Sequence, residues 1–405
     1  MMKLSRYVDL YYFPFFLFFI IITGYWDSLM RNFISLIFPL FIILYFLSKK
    51  RINLRINIQV VLIYFYIIIC IISSLLAFDV FNSLYYSLRV IVFFLLVASF
   101  YHWLNDYNKL ILTLKAFTLC GLSLSFSIIY GRYFGQVVIE AEGIIRSGGF
   151  FSNVNSAGFI LYCASIFTFL LYLLEKKNIY VYAILLMVIT LILTGSRASM
   201  LALGTFVLIY NFRYKLTKKV LLTILSGLLF SGGMLYFFKD KIMSSLRLER
   251  GLSARDILYN VGLDITSDNI FFGIGLGNLK YVGPAYVNSY PIGQWQKDDI
   301  LKVGIQSSHN LFIETSAELG VFGIIFLVLI LFKIGKKYFY GIKRNILHKN
   351  LYYLIWAFFV GSIIRCLFES NGILNRGWIT MDISFWVLFV IFERFSSIIN
   401  TSEKL

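Results

Sequence analysis

NIQVVLIYFYIIICIISSLLAF, residues 57–78, contains no charged side chain. About twenty apolar residues in an α-helix cross the hydrocarbon core of a bilayer. Runs of this kind recur along the whole 405-residue chain. Only helices and closed barrels satisfy their backbone groups in lipid, and these runs lack the two-residue alternation of a barrel strand. Hydrophobic residues make up 60% of the chain and charged residues 14%, where a soluble domain carries roughly a quarter charged. The pattern predicts an all-α polytopic membrane protein with about twelve transmembrane helices.

Spans are expected at about 10–24, 32–47, 57–78, 84–101, 110–130, 157–174, 179–195, 199–212, 220–238, 315–333, 351–368 and 379–393. The first, LYYFPFFLFFIIITG, has no small-residue cleavage site after it and is read as a retained span. Alternate loops are basic: Lys49, Lys50, Arg51 and Arg55; Lys176 and Lys177; Arg213, Lys215, Lys218 and Lys219; Lys336, Lys337, Lys343, Arg344 and Lys349. The positive-inside rule makes these loops cytoplasmic, and Lys3 and Arg6 place the N-terminus with them. An even number of spans brings the C-terminus back to the same side. The net charge of +17 is then mostly topological and needs no nucleic-acid partner. Cys70, Cys120, Cys163 and Cys366 lie in apolar runs without metal or disulfide spacing, and they read as small core residues.

The intervening loops face outward, and two are long. They are 131–156 and 239–314, the second preceding span ten. A connection of that length is usually functional. Residues 1–130 then form an N-terminal set of five spans, 131–395 a transmembrane core bearing both outer loops, and 396–405 a cytoplasmic tail. Within the second loop, Ser253 is a good N-cap for a helix whose apolar face is Ile257, Leu258, Val261 and Leu263. FFGIGLGN (271–278) reads as a glycine-punctuated turn. SSHNLFIETSAELGVFG (307–323) reads as a helix from His309 to Leu319, capped by Ser307 or Ser308, with Gly320 and Gly323 loosening its junction with the span.

Outward-facing cations gather near these loops: Arg146, Arg197, Arg255, Arg365 and Arg376, with Arg89 inside span four. A cation in hydrocarbon costs at least ~2.5 kcal/mol, so such residues face a cavity or an anion, or snorkel to the interface. Each has a plain alternative. Arg197 could cap a hairpin, Arg255 could lie on a solvated helix face, His309 could be a satisfied interfacial histidine, and Glu314 an exposed helix charge. Convergence on one membrane face favours phosphate binding, for which guanidinium is geometrically suited. Asn153, Asn155 and Ser156 precede span six and could cap it while exposing backbone N–H groups to an anion or sugar; the plain alternative is an ordinary turn and cap.

GGFFSNVNSAG (148–158), TGSRAS (194–199), SARDILYNVGLD with FFGIGLGN (253–278) and SSHNLFIETSAELGVFG occur in an order that resembles the O-antigen ligase/polymerase superfamily of envelope glycan transferases. The resemblance implies a metal-independent transferase without cofactor, in the bacterial inner membrane, with its site facing the periplasm. It implies a donor glycan on undecaprenyl diphosphate. The acceptor would be lipid A-core in a lipopolysaccharide-forming ligase, or another lipid-linked glycan in a repeat-unit polymerase. It matches Arg197, Arg255 and His309 to family positions. Arg146, Arg89 and Arg365 are further candidates for the diphosphate, and Asn310, Asn153 and Asn155 for positioning sugar or loop. Diphosphate is a good leaving group, so charge neutralisation and positioning are the main needs. His309, or else Glu314, would accept the hydroxyl proton. Asp298 and Asp299 are a weak metal candidate. Direct displacement with inversion is the simplest course. The reading leans to ligase over polymerase. A lipid-linked-oligosaccharide flippase is a lesser alternative, since the charges sit near outer span ends and the halves show no inverted repeat.

Overall fold

The computed structural model describes residues 2–23, 36–37, 39–44, 58–134, 138–141, 144–151, 153–211, 255–290, 301, 304–344 and 349–402. Its helices are α1 (Met2–Ile22), α2 (Ile58–Leu75), α3 (Val80–Trp103), α4 (Tyr107–Phe134), α5 (Val154–Glu175), α6 (Ile179–Thr194), α7 (Arg197–Asn211), α8 (Arg255–Asp268), α9 (Leu279–Val287), α10 (Leu311–Arg344), α11 (Lys349–Cys366) and α12 (Ile379–Ser402). Between α4 and α5 a short antiparallel hairpin, β1 (Val138–Ala141) and β2 (Ile144–Ser147), interrupts the expected all-helical pattern. Helices occupy ten of the expected span positions. The second span is described only at 36–37 and 39–44, which are helical, and the ninth lies outside the described residues. Among the described residues, five helices, α2, α3, α4, α5 and α10, are long and apolar enough to cross a membrane.

Several helices turn an apolar face outward. Tyr182, Leu185, Ile189 and Ile192 form an exposed stripe on α6, and Ile325, Val328, Leu329 and Phe332 form one on α10. Spacing of three and four residues puts each set on one helix face. Exposed faces this apolar suit hydrocarbon. The interior is held partly by small residues and interhelical hydroxyl pairs. A Cβ on Gly121 would lie 2.6 Å from that of Ala164. Thr118 and Thr168 are 2.9 Å apart between α4 and α5, and Ser125 and Thr190 are 2.8 Å apart between α4 and α6. Close backbone approach and such pairs are the usual cohesive contacts where hydrophobic burial does not discriminate helix from lipid. The four cysteines are free and buried, as expected.

One break positions everything at the far end of α10. Gly320 (φ 67°, ψ −166°) leaves helical geometry and divides α10 into a short 311–319 segment and a long 321–344 segment. The broken ladder is completed by the glycine turn. Ile274 N donates to Ala317 O at 3.0 Å, Gly275 N to Glu318 O at 2.9 Å, and Val321 N to Ile270 O at 2.7 Å. Ser73 of α2 adds a bond to Glu318 O at 2.9 Å. Gly273, Gly275 and Gly277 all have positive φ, as the turn reading of FFGIGLGN anticipated. In lipid an unpaired carbonyl is costly, so the kink exists only because this turn supplies its donors.

A Cβ at Gly320 would lie 2.3 Å from the Phe271 carbonyl carbon, at a φ that L side chains rarely adopt. Gly320→Ala should therefore destabilise by about 1–3 kcal/mol or more, read as a lowered thermal midpoint in detergent. Gly204→Ala is the control. Nothing lies within 4 Å of a Cβ there, so it should leave the midpoint unchanged or raise it.

Candidate functional site

Residues 367–378, LFESNGILNRGW, connect α11 to α12 and carry the site. The connection folds back into the bundle because α12 begins with an acid. Asp382 accepts from Gly372 N at 2.8 Å and Asn375 N at 2.6 Å. Trp386 Nε1 donates to Ile373 O at 2.6 Å, and Ile373 and Leu374 are buried. Arg365, fully buried rather than snorkelling, donates to the backbone oxygen of Asn371 and to its Oδ1 at 2.8 Å. Its guanidinium lies 4.2 Å from the Phe159 ring and reaches Ser199 Oγ at 3.4 Å. That last bond ties the end of α11 to the first turn of α7.

Glu369 is the centre of this arrangement. Arg255 Nη2 donates to its Oε1 at 2.7 Å, while Arg255 Nη1 donates to Phe368 O at 2.7 Å. His309 Nδ1 lies 3.2 Å from its Oε2. Side-chain exposure is 4% for Glu369 and 31% for His309, so the carboxylate is enclosed and the imidazole remains accessible. Burial acts to raise the Glu369 pKa. The hydrogen bond and charge of His309, with Arg365 and Arg255, outweigh it and hold the group below its ordinary value.

His309 does not sit in the first helical turn. It precedes the helix in the left-handed region, φ 55°. Asn310 is the cap instead, its Oδ1 accepting from Phe312 N at 2.9 Å and Ile313 N at 3.2 Å. Asn310 Nδ2 also donates to Leu367 O at 3.1 Å. Tyr259 of α8 reaches Leu367 O at 3.2 Å and His309 O at 3.4 Å. Three separate pieces of chain are thereby joined around Glu369.

Glu314 is not an exposed helix charge. It is buried, with Oε2 accepting from Ser308 N at 2.9 Å, Ser307 Oγ at 2.9 Å and Ser370 Oγ at 2.6 Å. Its Oε1 lies 3.1 Å from Arg376 Nη2. Arg376 also grips Glu318, from Nε to Oε2 at 2.9 Å and from Nη2 to Oε1 at 2.6 Å. Burial pulls the Arg376 pKa down, but Glu318 and Glu314 more than compensate, and it is raised. Glu318 Oε1 further accepts from Gly277 N at 2.9 Å. This second cluster locks the 311–319 helix to both the glycine turn and the 367–378 connection.

The other expected residues are more dispersed. Arg197 begins α7 and is partly exposed. Arg146 donates to Thr194 O at 3.0 Å and Gly195 O at 2.9 Å, capping the C-terminal carbonyls of α6. Asn153 caps α5, its Oδ1 accepting from Asn155 N at 2.8 Å and Ser156 N at 3.3 Å. Asn155 contributes its carbonyl, 3.5 Å from Arg365 Nη2. Arg89 is buried against Tyr85 and Tyr86. Its link to the second cluster is the Tyr86 ring, which Arg376 also faces at 5.8 Å. In α8 the buried face is Val261, Gly262 and Ile265, and Leu263, expected on that face, is exposed. A two-residue step from Val261 turns Leu263 well off the stripe. Ser253, Asp298 and Asp299 lie outside the described residues. Glu369 and Glu318 escaped the sequence reading. The available signal was a carboxylate and two asparagines compressed between apolar spans, where a simple connection needs neither.

A bundle of apolar helices with a paired acid, imidazole and guanidinium at one end defines a multi-pass membrane protein bearing a polar site. Residues 182–328 match the family model described as O-antigen ligase. The matched segment includes Arg197, Arg255 and His309, and Glu369 lies beyond it. A search of curated proteins found no match.

Because the Glu369 pKa is depressed, its pairing stabilises the protein above the unfolded-state value, near 4.5, and that contribution is lost as pH falls through the folded-state value. Glu369→Gln removes the titration. Its thermal midpoint should be lower than wild type at pH 7, and the difference should shrink as the pH falls below 4.5. A constant difference across that range would exclude an ionised Glu369 as the source.

Proposed function

We propose that the chain is a glycan transferase that moves a glycan from undecaprenyl diphosphate to a sugar hydroxyl at the periplasmic face of the inner membrane. The family relation supports a glycan-transferring enzyme of the O-antigen ligase/polymerase kind. The observation that carries the rest is the shared carboxylate: Glu369 accepts from Arg255 while it orients His309.

In this reading His309 keeps its proton on Nδ1, directed at Glu369 Oε2, and presents Nε2 to the acceptor hydroxyl. The hydroxyl oxygen attacks the anomeric carbon, its proton passes to Nε2, and the bond from that carbon to the diphosphate oxygen breaks. Arg255 and Arg197 neutralise the departing diphosphate without a metal ion. Glu369 stabilises the imidazolium that forms. His309 is favoured over Glu314 as base because its side chain is 31% exposed, whereas that of Glu314 is 4% exposed and committed to serines and Arg376. Arg146 and Arg365 act through the backbone they cap, and Asn310, Asn153 and Asn155 through helix starts. Transfer to lipid A-core, as in a ligase, is the preferred outcome. A deletion strain decides it: polymer left on the carrier lipid marks a ligase, and core bearing a single repeat marks a polymerase.

His309→Ala should reduce turnover by about 10²–10⁴-fold with little change in donor binding. Arg255→Ala and Arg197→Ala should abolish transfer at normal membrane abundance, and lysine should restore it only in part, since it lacks the planar fork. Chelator should leave the rate unchanged. Wild-type rates in His309→Ala, with Glu314→Ala inactive, would move the base to Glu314.

Orientation is tested separately. Cysteine at position 197 or 309 should react with an impermeant thiol reagent in cells whose outer membrane alone is permeable. Labelling only after inner-membrane lysis would invert the topology.

A further inference from the structure

Four arginines at the site end, Arg89, Arg255, Arg365 and Arg376, are buried or half-buried. Arg255 is answered by Glu369, Arg376 by Glu318 and Glu314, and Arg365 by Asn371. Arg89 differs. It is 8% exposed, and its Nε is buried with no hydrogen-bond partner. What it has are two tyrosine rings, with centroids 5.9 Å and 5.3 Å away at Tyr85 and Tyr86. Its backbone is pressed against the connection, since a Cβ on Gly377 would lie 2.6 Å from Arg89 C and O. The nearby acid, Asp382, attracts Arg89 through space, but its carboxylate accepts its hydrogen bonds from the Gly372 and Asn375 N–H groups. A cation at this depth without a hydrogen-bonded acid is costly and is retained where an anion fills the place.

The surroundings specify the anion. Tyr85 and Tyr86 are partly exposed, and each sets a ring that carries a phenolic donor against the guanidinium. Phe78, in the turn between α2 and α3, and Phe81 and Leu88, on one face of α3, are all exposed. A guanidinium with hydroxyl donors suits phosphate oxygens, and exposed apolar residues on the same helix suit an acyl or prenyl tail. We propose that Arg89, Tyr85 and Tyr86 form a binding site for the phosphate of a lipid, separate from the diphosphate position at Arg255. This rests on the transferase reading only in placing the donor at Arg255. Two lipids share the required chemistry, a bilayer phospholipid and a lipid-borne acceptor.

The test uses the full chain in uncharged detergent and reads the thermal midpoint. The probes are phosphatidic acid, diacylglycerol (the same tails without phosphate) and inorganic phosphate (the same group without tails). Phosphatidic acid should raise the wild-type midpoint far more than either control. Arg89→Met should lose that response, Arg89→Lys should keep part of it, and Arg255→Ala should retain it. Without lipid, Arg89→Met should melt no lower than wild type, because a buried cation without a hydrogen-bonded acid has been removed. A lower lipid-free midpoint in Arg89→Met, with the phosphatidic acid response intact, would make Arg89 structural and overturn the site. Loss of the response in Arg255→Ala instead would place the phosphate at the donor position and overturn it equally. An equal response to inorganic phosphate would overturn the lipid assignment. Transfer kinetics then separate the two lipids. A raised acceptor KM with unchanged donor KM in Arg89→Lys identifies the acceptor, and unchanged values identify a bilayer lipid. The transferase reading itself stands or falls on Arg255→Ala and His309→Ala activity, which are independent of these melts.

Discussion

Charge removed from water at the end of an apolar bundle must find a partner, and this requirement organises the site. Glu369 is enclosed, so it is tenable as a carboxylate only with Arg255 and His309 against it. Breaking one partner of such a pair costs about 3–5 kcal/mol. The same rule joins Arg376 to Glu314 and Glu318, and draws Asp382 onto two backbone N–H groups. The pairings of Arg255 and His309 with Glu369, and of Arg376 with Glu314 and Glu318, span distant parts of the sequence, so satisfying these charges also fixes the chain.

The break at Gly320 serves that network. A continuous helix would carry Glu314 and Glu318 straight along α10. The kink turns the 311–319 segment so that one acid meets the serines before the helix and the other meets the glycine turn. Backbone carbonyls released at the break are taken up by Ile274 and Gly275. The strain at one glycine and the positive φ of His309 are maintained by surrounding bonds, which is typical of positions held for chemistry rather than stability.

Some residues with the same chemistry have different consequences because of what they touch. Arg146 and Arg365 were grouped with Arg255 as anion binders, yet they donate to carbonyls of α6 and of the 367–378 connection. Their charge shapes the walls. Arg255 meets a carboxylate that also holds an imidazole, and so bears on reactivity. Arg89 Nε has no hydrogen-bond partner; two tyrosine rings face its guanidinium and Asp382 acts on it only through space.

The sequence by itself determined the solvent of this protein. Long apolar runs and alternating basic loops demand membrane-crossing helices, because backbone groups in lipid have few other ways to be satisfied. It also determined the glycine turn at 271–278, where φ beyond the reach of L side chains is required, and it singled out Arg197, Arg255 and His309 within an ordered set of motifs. Helical periodicity placed Val261 inward and misplaced Leu263, because an apolar residue in a short loop helix need not face the core. Only the tertiary structure decided which charges meet. Glu369 lies sixty residues from His309 and further from Arg255, and no local pattern encodes a contact at that separation. Burial is likewise a property of the assembled bundle. Glu314 has the spacing of a surface helix charge, but the connection between α11 and α12 folds over it and turns it into part of the frame.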